Sequence, residues 1–233
     1  MENHCPTTDD IIKIPMKPFT IKFLYTLLII SLLPACSPYT KGQPIQKDLP
    51  AKFAYLVIDI QEDFMNANGK LPIDQGQSPK IIKNINELLP IFEQQKIEII
   101  YIGNEFNKSE TIANWFRNNA AIAGSKGTQL AAGLKVLNHH YFPKNHPDAF
   151  SNQEFDQYLR KQNITGIIIS GVFADQCVLS TVKGALNREY EVFLISGTLG
   201  AKTDENLNNA LQKYHKLDVS IFTPEQIVNK ISL

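Results

Sequence analysis

The feature that most constrains this chain is the alternation of short apolar runs with amphipathic stretches from residue 53 to residue 230. Residues 53–60, 97–102, 136–142, 166–172, 191–196 and 219–222 read as strands. Residues 79–95, 152–162, 175–188, 204–215 and 224–230 carry the longer apolar spacing of helices. Strands that recur with a helix between them cannot be joined as hairpins, so they lie parallel and need cover on both faces. The expected fold is therefore a three-layer α-β-α, doubly wound, Rossmann-like α/β domain with a mainly parallel sheet of about six strands. Ligands of such sheets bind beyond the carboxyl ends of the strands, so polar residues that close an apolar run there are the first to consider.

Three residues stand at such positions. Asp59 follows the apolar run Tyr55-Leu56-Val57-Ile58, Lys144 follows the run ending at Phe142, and Cys177 lies just past Gly166–Val172 at the start of a helical pattern. A helix start favours a thiolate, the nucleophilic form of cysteine. A neighbouring carboxylate could take the thiol proton, and a cation beside it would keep that carboxylate charged. Taken singly, each has a plainer role: a buried apolar cysteine, a loop-capping aspartate, a solvated lysine. Residues 103–135 interrupt the alternation and read as an excursion over the site, with a short helical pattern at 112–118. Trp115 could cap a pocket there, and Gln61, Phe64, Asn104, Phe106 and Phe173 are further pocket candidates by nearness to the sheet edge.

The first fifty residues are of another kind. Lys17 and Lys22 precede an apolar run at 23–33, followed by Pro34, Ala35 and Cys36, which is the layout of a secretory signal peptide. The run is shorter than the ~20 apolar residues of a membrane-spanning helix. Leu33-Pro34-Ala35-Cys36 resembles the lipobox of bacterial lipoproteins, in which the cysteine is lipidated and becomes the mature N-terminus. The expected organisation is a signal peptide over 1–36 with translation starting at Met16, a tether over 37–51 and one domain over 52–233. This places the domain in the bacterial envelope, on the periplasmic side, held to a membrane through Cys36. Cys177 would then be the mature domain's one unlipidated cysteine, since Cys5 precedes the expected start. Lysine plus arginine balances aspartate plus glutamate at 23 each, and there is no basic stripe, so nucleic acid is not an expected partner.

The three residues also sit in motifs that resemble those of the isochorismatase-like cysteine hydrolases, which include nicotinamidases and N-carbamoylsarcosine amidase. Leu56-Val57-Ile58-Asp59-Ile60-Gln61-Glu62-Asp63-Phe64 is similar to the family's opening strand with its catalytic aspartate. Lys144 with Ala149-Phe150 is similar to the catalytic lysine segment. Gly171-Val172-Phe173-Ala174-Asp175-Gln176-Cys177-Val178 is similar to the nucleophile motif, with Ala174 where many relatives carry threonine. The resemblance spans residues 52–223. It implies a Cys177 nucleophile with Asp59 and Lys144, a cis peptide at Val172-Phe173, and an oxyanion hole made by the N–H groups of Phe173 and Cys177. It also allows a homo-oligomer.

Nicotinamidases hold a metal through an Asp-x-His motif after the second strand, where this chain has Asn104-Glu105-Phe106. Phe106 cannot ligate and Asn104 carries no charge. Adjacent strand residues point to opposite faces, so His139 and His140 do not form a chelating pair, and His146 alone is no ligand set. No metal and no other cofactor is expected. The function implied is hydrolysis of a small-molecule amide or ureido C–N bond. The alternatives are vinyl ether hydrolysis of the isochorismatase type, and a non-catalytic binding protein on the same fold.

Overall fold

The structure is a computed structural model that describes residues 39–46, 48–138 and 140–231. The expected signal segment, Met16, Cys5, Cys36 and His139 lie outside these residues. Six strands, β1 (Phe53–Ile58), β2 (Glu98–Asn104), β3 (Tyr141–Lys144), β4 (Gly166–Val172), β5 (Glu191–Gly200) and β6 (Ser220–Phe222), form one sheet in the order β3-β2-β1-β4-β5-β6. Every pairing is parallel. The helices are α1 (Glu62–Met65), α2 (Ser78–Gln94), α3 (Thr111–Phe116), α4 (Gln153–Lys161), α5 (Leu179–Asn187), α6 (Asp204–Lys216) and α7 (Pro224–Ile231).

The period of two along β1 builds both layers. Ala54, Leu56 and Ile58 point into the core shared with Phe155 and Leu159 of α4, Val182 of α5 and Tyr214 of α6. Tyr55 and Val57 point the other way, into the core shared with Ile81, Ile85 and Phe92 of α2 and Ile227 of α7. A strand buried on both faces has to be apolar throughout, which is why these segments are so visible in the sequence. Among the described residues no helix is long and apolar enough to cross a membrane.

Strand order reverses at β1, which has β2 on one side and β4 on the other, so the crevice of the doubly wound sheet opens between the ends of β1 and β4. Two backbone devices shape it. Gly171 adopts φ 147°, and a Cβ there would lie 2.2 Å from the carbonyl oxygen of Ile58, so no side chain fits where the strands close up. Asp59 stops β1 two residues before the expected end at 60, because it turns into the left-handed region at φ 57°. Aspartate tolerates that region better than most residues.

Two elements differ from expectation. The third strand was expected at 136–142 and is Tyr141–Lys144. The Asn138 side chain bonds to the Ile99 carbonyl and accepts from the His140 N–H, so regular pairing with β2 begins only at Tyr141. His140 therefore precedes the strand, and its ring contacts Glu98 and Tyr158. The helix expected from Asp175 is divided into a wide π-helical turn, Ala174–Val178, and then α5.

Residues 39–46, within the stretch read as a tether, are fastened to the domain. Thr40 donates from its N–H and hydroxyl to buried Asp148, at 2.6 and 2.8 Å. Arg188 donates to the Thr40 carbonyl, and Ile45 donates to the Arg188 carbonyl.

The π-helical turn is held from α6, where the fully buried Tyr214 hydroxyl donates to the Ala174 carbonyl. Tyr214→Phe removes that buried hydrogen bond and is expected to cost about 1 kcal/mol in urea unfolding at unchanged m-value.

Candidate active site

Four strand ends converge at the crevice. Asp59 follows β1, Asn104 is the last residue of β2, Lys144 is the last residue of β3, and Cys177 lies in the π-helical turn after β4. The parallel register pairs Asn104 with Lys144 and lays Ile58 beside Gly171, so sheet pairing itself brings these groups together.

At the centre is a fully buried ion pair, with Lys144 Nζ 2.9 Å from Asp59 Oδ2. Asn104 bridges it: its Nδ2 donates to the same Asp59 oxygen at 2.7 Å, and its Oδ1 accepts from Lys144 at 2.7 Å. Buried charges need such partners to stay ionised. Asn104 is itself held at its backbone by the Gln61 side chain, which accepts from the Asn104 N–H at 2.8 Å and donates to its carbonyl at 3.0 Å. Asp59 Oδ2 is thus doubly occupied, whereas Oδ1 is buried without a hydrogen-bond partner. Cys177 completes the group, with Sγ 3.6 Å from Asn104 Nδ2 and the residue 7% exposed.

The electrostatics differ from those expected of a cysteine at a helix start. Burial pushes the Cys177 thiol up to about 11; Lys144 pulls it down, and the Asp59 charge raises it again. The cysteine sits in the π-helical turn before α5, and desolvation outweighs the field of the helix. Burial also raises the Asp59 carboxyl, against the pull of Lys144. Burial alone would lower the Lys144 ammonium, but Asp59 and Cys177 carry it upward. At neutral pH the Cys177 thiol is therefore protonated, beside the buried Asp59–Lys144 pair.

The other candidates separate. Gln61 and Asn104, read as pocket residues, belong to the charge network. Phe64 packs edge-on against Phe173 with ring centroids 5.6 Å apart, and the Val172-Phe173 peptide bond is cis. Phe106 lies beneath the Arg117 guanidinium, 3.7 Å from its ring centroid. Trp115, read as a pocket cap, points to solvent at 71% exposure, because the six-residue α3 buries only Asn114. The bridging role of Asn104 was missed, although a polar residue closing a buried apolar strand is the same signal that marked Asp59.

The residues do not fit a metal of the Asp-x-His type. Both ends of the Asn104 amide are engaged, Phe106 offers no donor, His146 is exposed, and His140 contacts Glu98 at the amino end of β2. Among the described residues no group of three or more His, Cys, Asp or Glu side chains could hold an ion.

A parallel sheet carrying an acid, a cation and a thiol at its switch point defines a doubly wound α/β protein with its candidate site where such sheets bind ligands. The isochorismatase domain profile matches residues 53–225, and the chain belongs to that family. It is 26% identical over 163 residues to a probable inactive nicotinamidase of Arabidopsis thaliana, covering 65% of this chain and 82% of that protein. It is 23% identical over 181 residues to a ureidoacrylate amidohydrolase of Pseudomonas savastanoi pv. phaseolicola, covering 67% and 74%. The fold superposes with TM-score 0.65 on a pyrazinamidase of Pyrococcus horikoshii solved with zinc, at 23% identity over 73% of this chain and 98% of that one.

Two predictions follow from the charges. In Asp59→Asn the carboxylate that raises the thiol is gone while Lys144 remains, so the pH profile of iodoacetamide labelling at Cys177 shifts to lower pH. Asn104→Ala frees both charges of the pair to move, and is expected to lower kcat about tenfold or more with KM little changed, because it disturbs positioning rather than binding.

Proposed function

We propose that the protein is a metal-independent cysteine hydrolase of a small amide or ureido C–N bond, working through a thioester, and that it is exported and anchored in the bacterial envelope through lipidated Cys36. One observation carries the chemistry: the Cys177 thiol interacts with the Asp59 carboxyl group, whose Oδ2 is occupied by Lys144 and Asn104 and whose Oδ1 is open.

As Sγ attacks the substrate carbonyl carbon, the thiol proton passes to Asp59 Oδ1, so the thiolate forms only when it is used. Lys144 keeps its charge and holds Oδ2. The oxygen of the tetrahedral intermediate accepts from the backbone N–H groups of Phe173 and Cys177. On collapse the C–N bond breaks, and Asp59 gives the proton to the departing nitrogen, leaving the acyl group on sulfur. Water then attacks the thioester, Asp59 takes its proton, and the thiol is restored as the acid leaves. The narrow exposure of Cys177 suits a small substrate. The ureido class is supported by the amidohydrolase relatives, and the route through sulfur by the presence of the cysteine, which vinyl ether hydrolysis does not require. Anchoring is supported by the lipobox-like Leu33-Pro34-Ala35-Cys36.

Screening small amides and ureides with quenched-reaction mass spectrometry is expected to show a covalent adduct on Cys177 whose mass equals the acyl group. Cys177→Ala should lose the adduct and all turnover, and Asp59→Asn should lose about a thousandfold in kcat. Full turnover by Cys177→Ala would overturn the reading.

A further inference from the structure

The short helix α3 leaves one face without any cover. Ile112, Trp115 and Phe116 are 75%, 71% and 75% exposed, and the Trp115 and Phe116 rings stack edge-to-face at 4.9 Å, forming a joined apolar patch. Exposed Lys108 and Lys70 flank it; Lys70 reaches the Asn119 carbonyl, and among the described residues neither lysine pairs with a carboxylate. The nearby acid, Glu110, is neutralised by Arg117 at 2.7 Å. Tryptophan with phenylalanine and isoleucine, bordered by uncompensated lysines, is the chemistry of a membrane interface: apolar rings among the acyl chains, ammonium groups among anionic headgroups.

The patch lies at the carboxyl edge of the sheet. The loop bearing α3 is pinned there at both ends, since the Phe106 N–H donates to the Ala121 carbonyl only two residues past Asn104. The N-terminal segment is fastened along α5, since Thr40 is bonded both to Asp148, four residues beyond the end of β3, and to Arg188 at the far end of that helix. In the sequence Cys36 comes four residues before Thr40.

We propose that the Ile112, Trp115 and Phe116 face of α3 docks into the interface of an anionic bilayer, turning the edge that carries Cys177 toward the lipid. The proposal rests on the lipid-anchor reading for how the protein reaches a membrane, and on the patch alone for how it sits there. A lipid chain by itself leaves orientation free, and a second contact fixes it.

Trp115 is the only tryptophan in the chain, so its emission reports on the patch directly. The processed, lipidated protein is reconstituted in vesicles of phosphatidylethanolamine and phosphatidylglycerol, with and without acyl-brominated lipid. The expected result is loss of emission by about twofold or more with brominated lipid, protection from acrylamide, and no change when protein per vesicle is diluted tenfold. Ile112→Ser with Phe116→Ser should restore acrylamide quenching while the protein stays in the vesicle pellet. Protein that pellets with Trp115 open to acrylamide and untouched by brominated lipid overturns the proposal and spares the anchor. Trp115 shielded from both quenchers, with shielding lost on dilution, also overturns it and assigns the patch to a second copy of the chain. Protein that remains in the supernatant overturns the anchor reading; if vesicles then leave Trp115 emission unchanged, docking is overturned as well.

Discussion

Everything at the carboxyl edge of the sheet depends on keeping two charges out of water. A carboxylate and an ammonium buried together are held only if the geometry between them is good and the spare hydrogen-bonding capacity is met. Here Asn104 meets it with an amide turned so that its donor faces Asp59 and its acceptor faces Lys144. Gln61 fixes that amide from the opposite side. The result is an asymmetric carboxylate, one oxygen committed and one open, beside a thiol that burial keeps protonated at rest. The same exclusion of water that strengthens the attraction within the pair is what keeps the neighbouring thiol protonated.

Much of this was legible in the sequence because burial on two faces leaves a strong mark. The strand at 166–172 was readable to the residue, since every position in it has to be apolar or small. The strand ending at Lys144 was readable in kind but not in place. Asn138 diverts the backbone before Tyr141, and a side-chain bond to the Ile99 carbonyl across the sheet leaves no periodic trace. Asp59, Lys144 and Cys177 stood out as polar residues ending apolar runs, and the sheet brings those ends together.

What the sequence withheld was pairing and field. Asn104 and Gln61 looked like pocket residues because nothing in a linear chain says that one will clasp the other. Trp115 looked like a cap because large aromatics near a site often are, whereas a six-residue helix cannot turn every ring inward. The thiol's direction of shift depended on how deeply the turn before α5 is covered, which follows from Tyr214 reaching Ala174 from forty residues away.

The register of the sheet has a consequence for how such a chain can change over time. Asp59, Asn104 and Lys144 are presented by consecutive neighbours in one hydrogen-bond ladder, so slipping any one strand by a single residue would scatter the charges and bury them singly. Insertions and deletions within these strands would break the site, whereas the loops and helices between them can take changes that leave the ladder untouched. A sequence of this kind can drift until little identity is left to its relatives, provided the counting of residues along its strands is inherited intact.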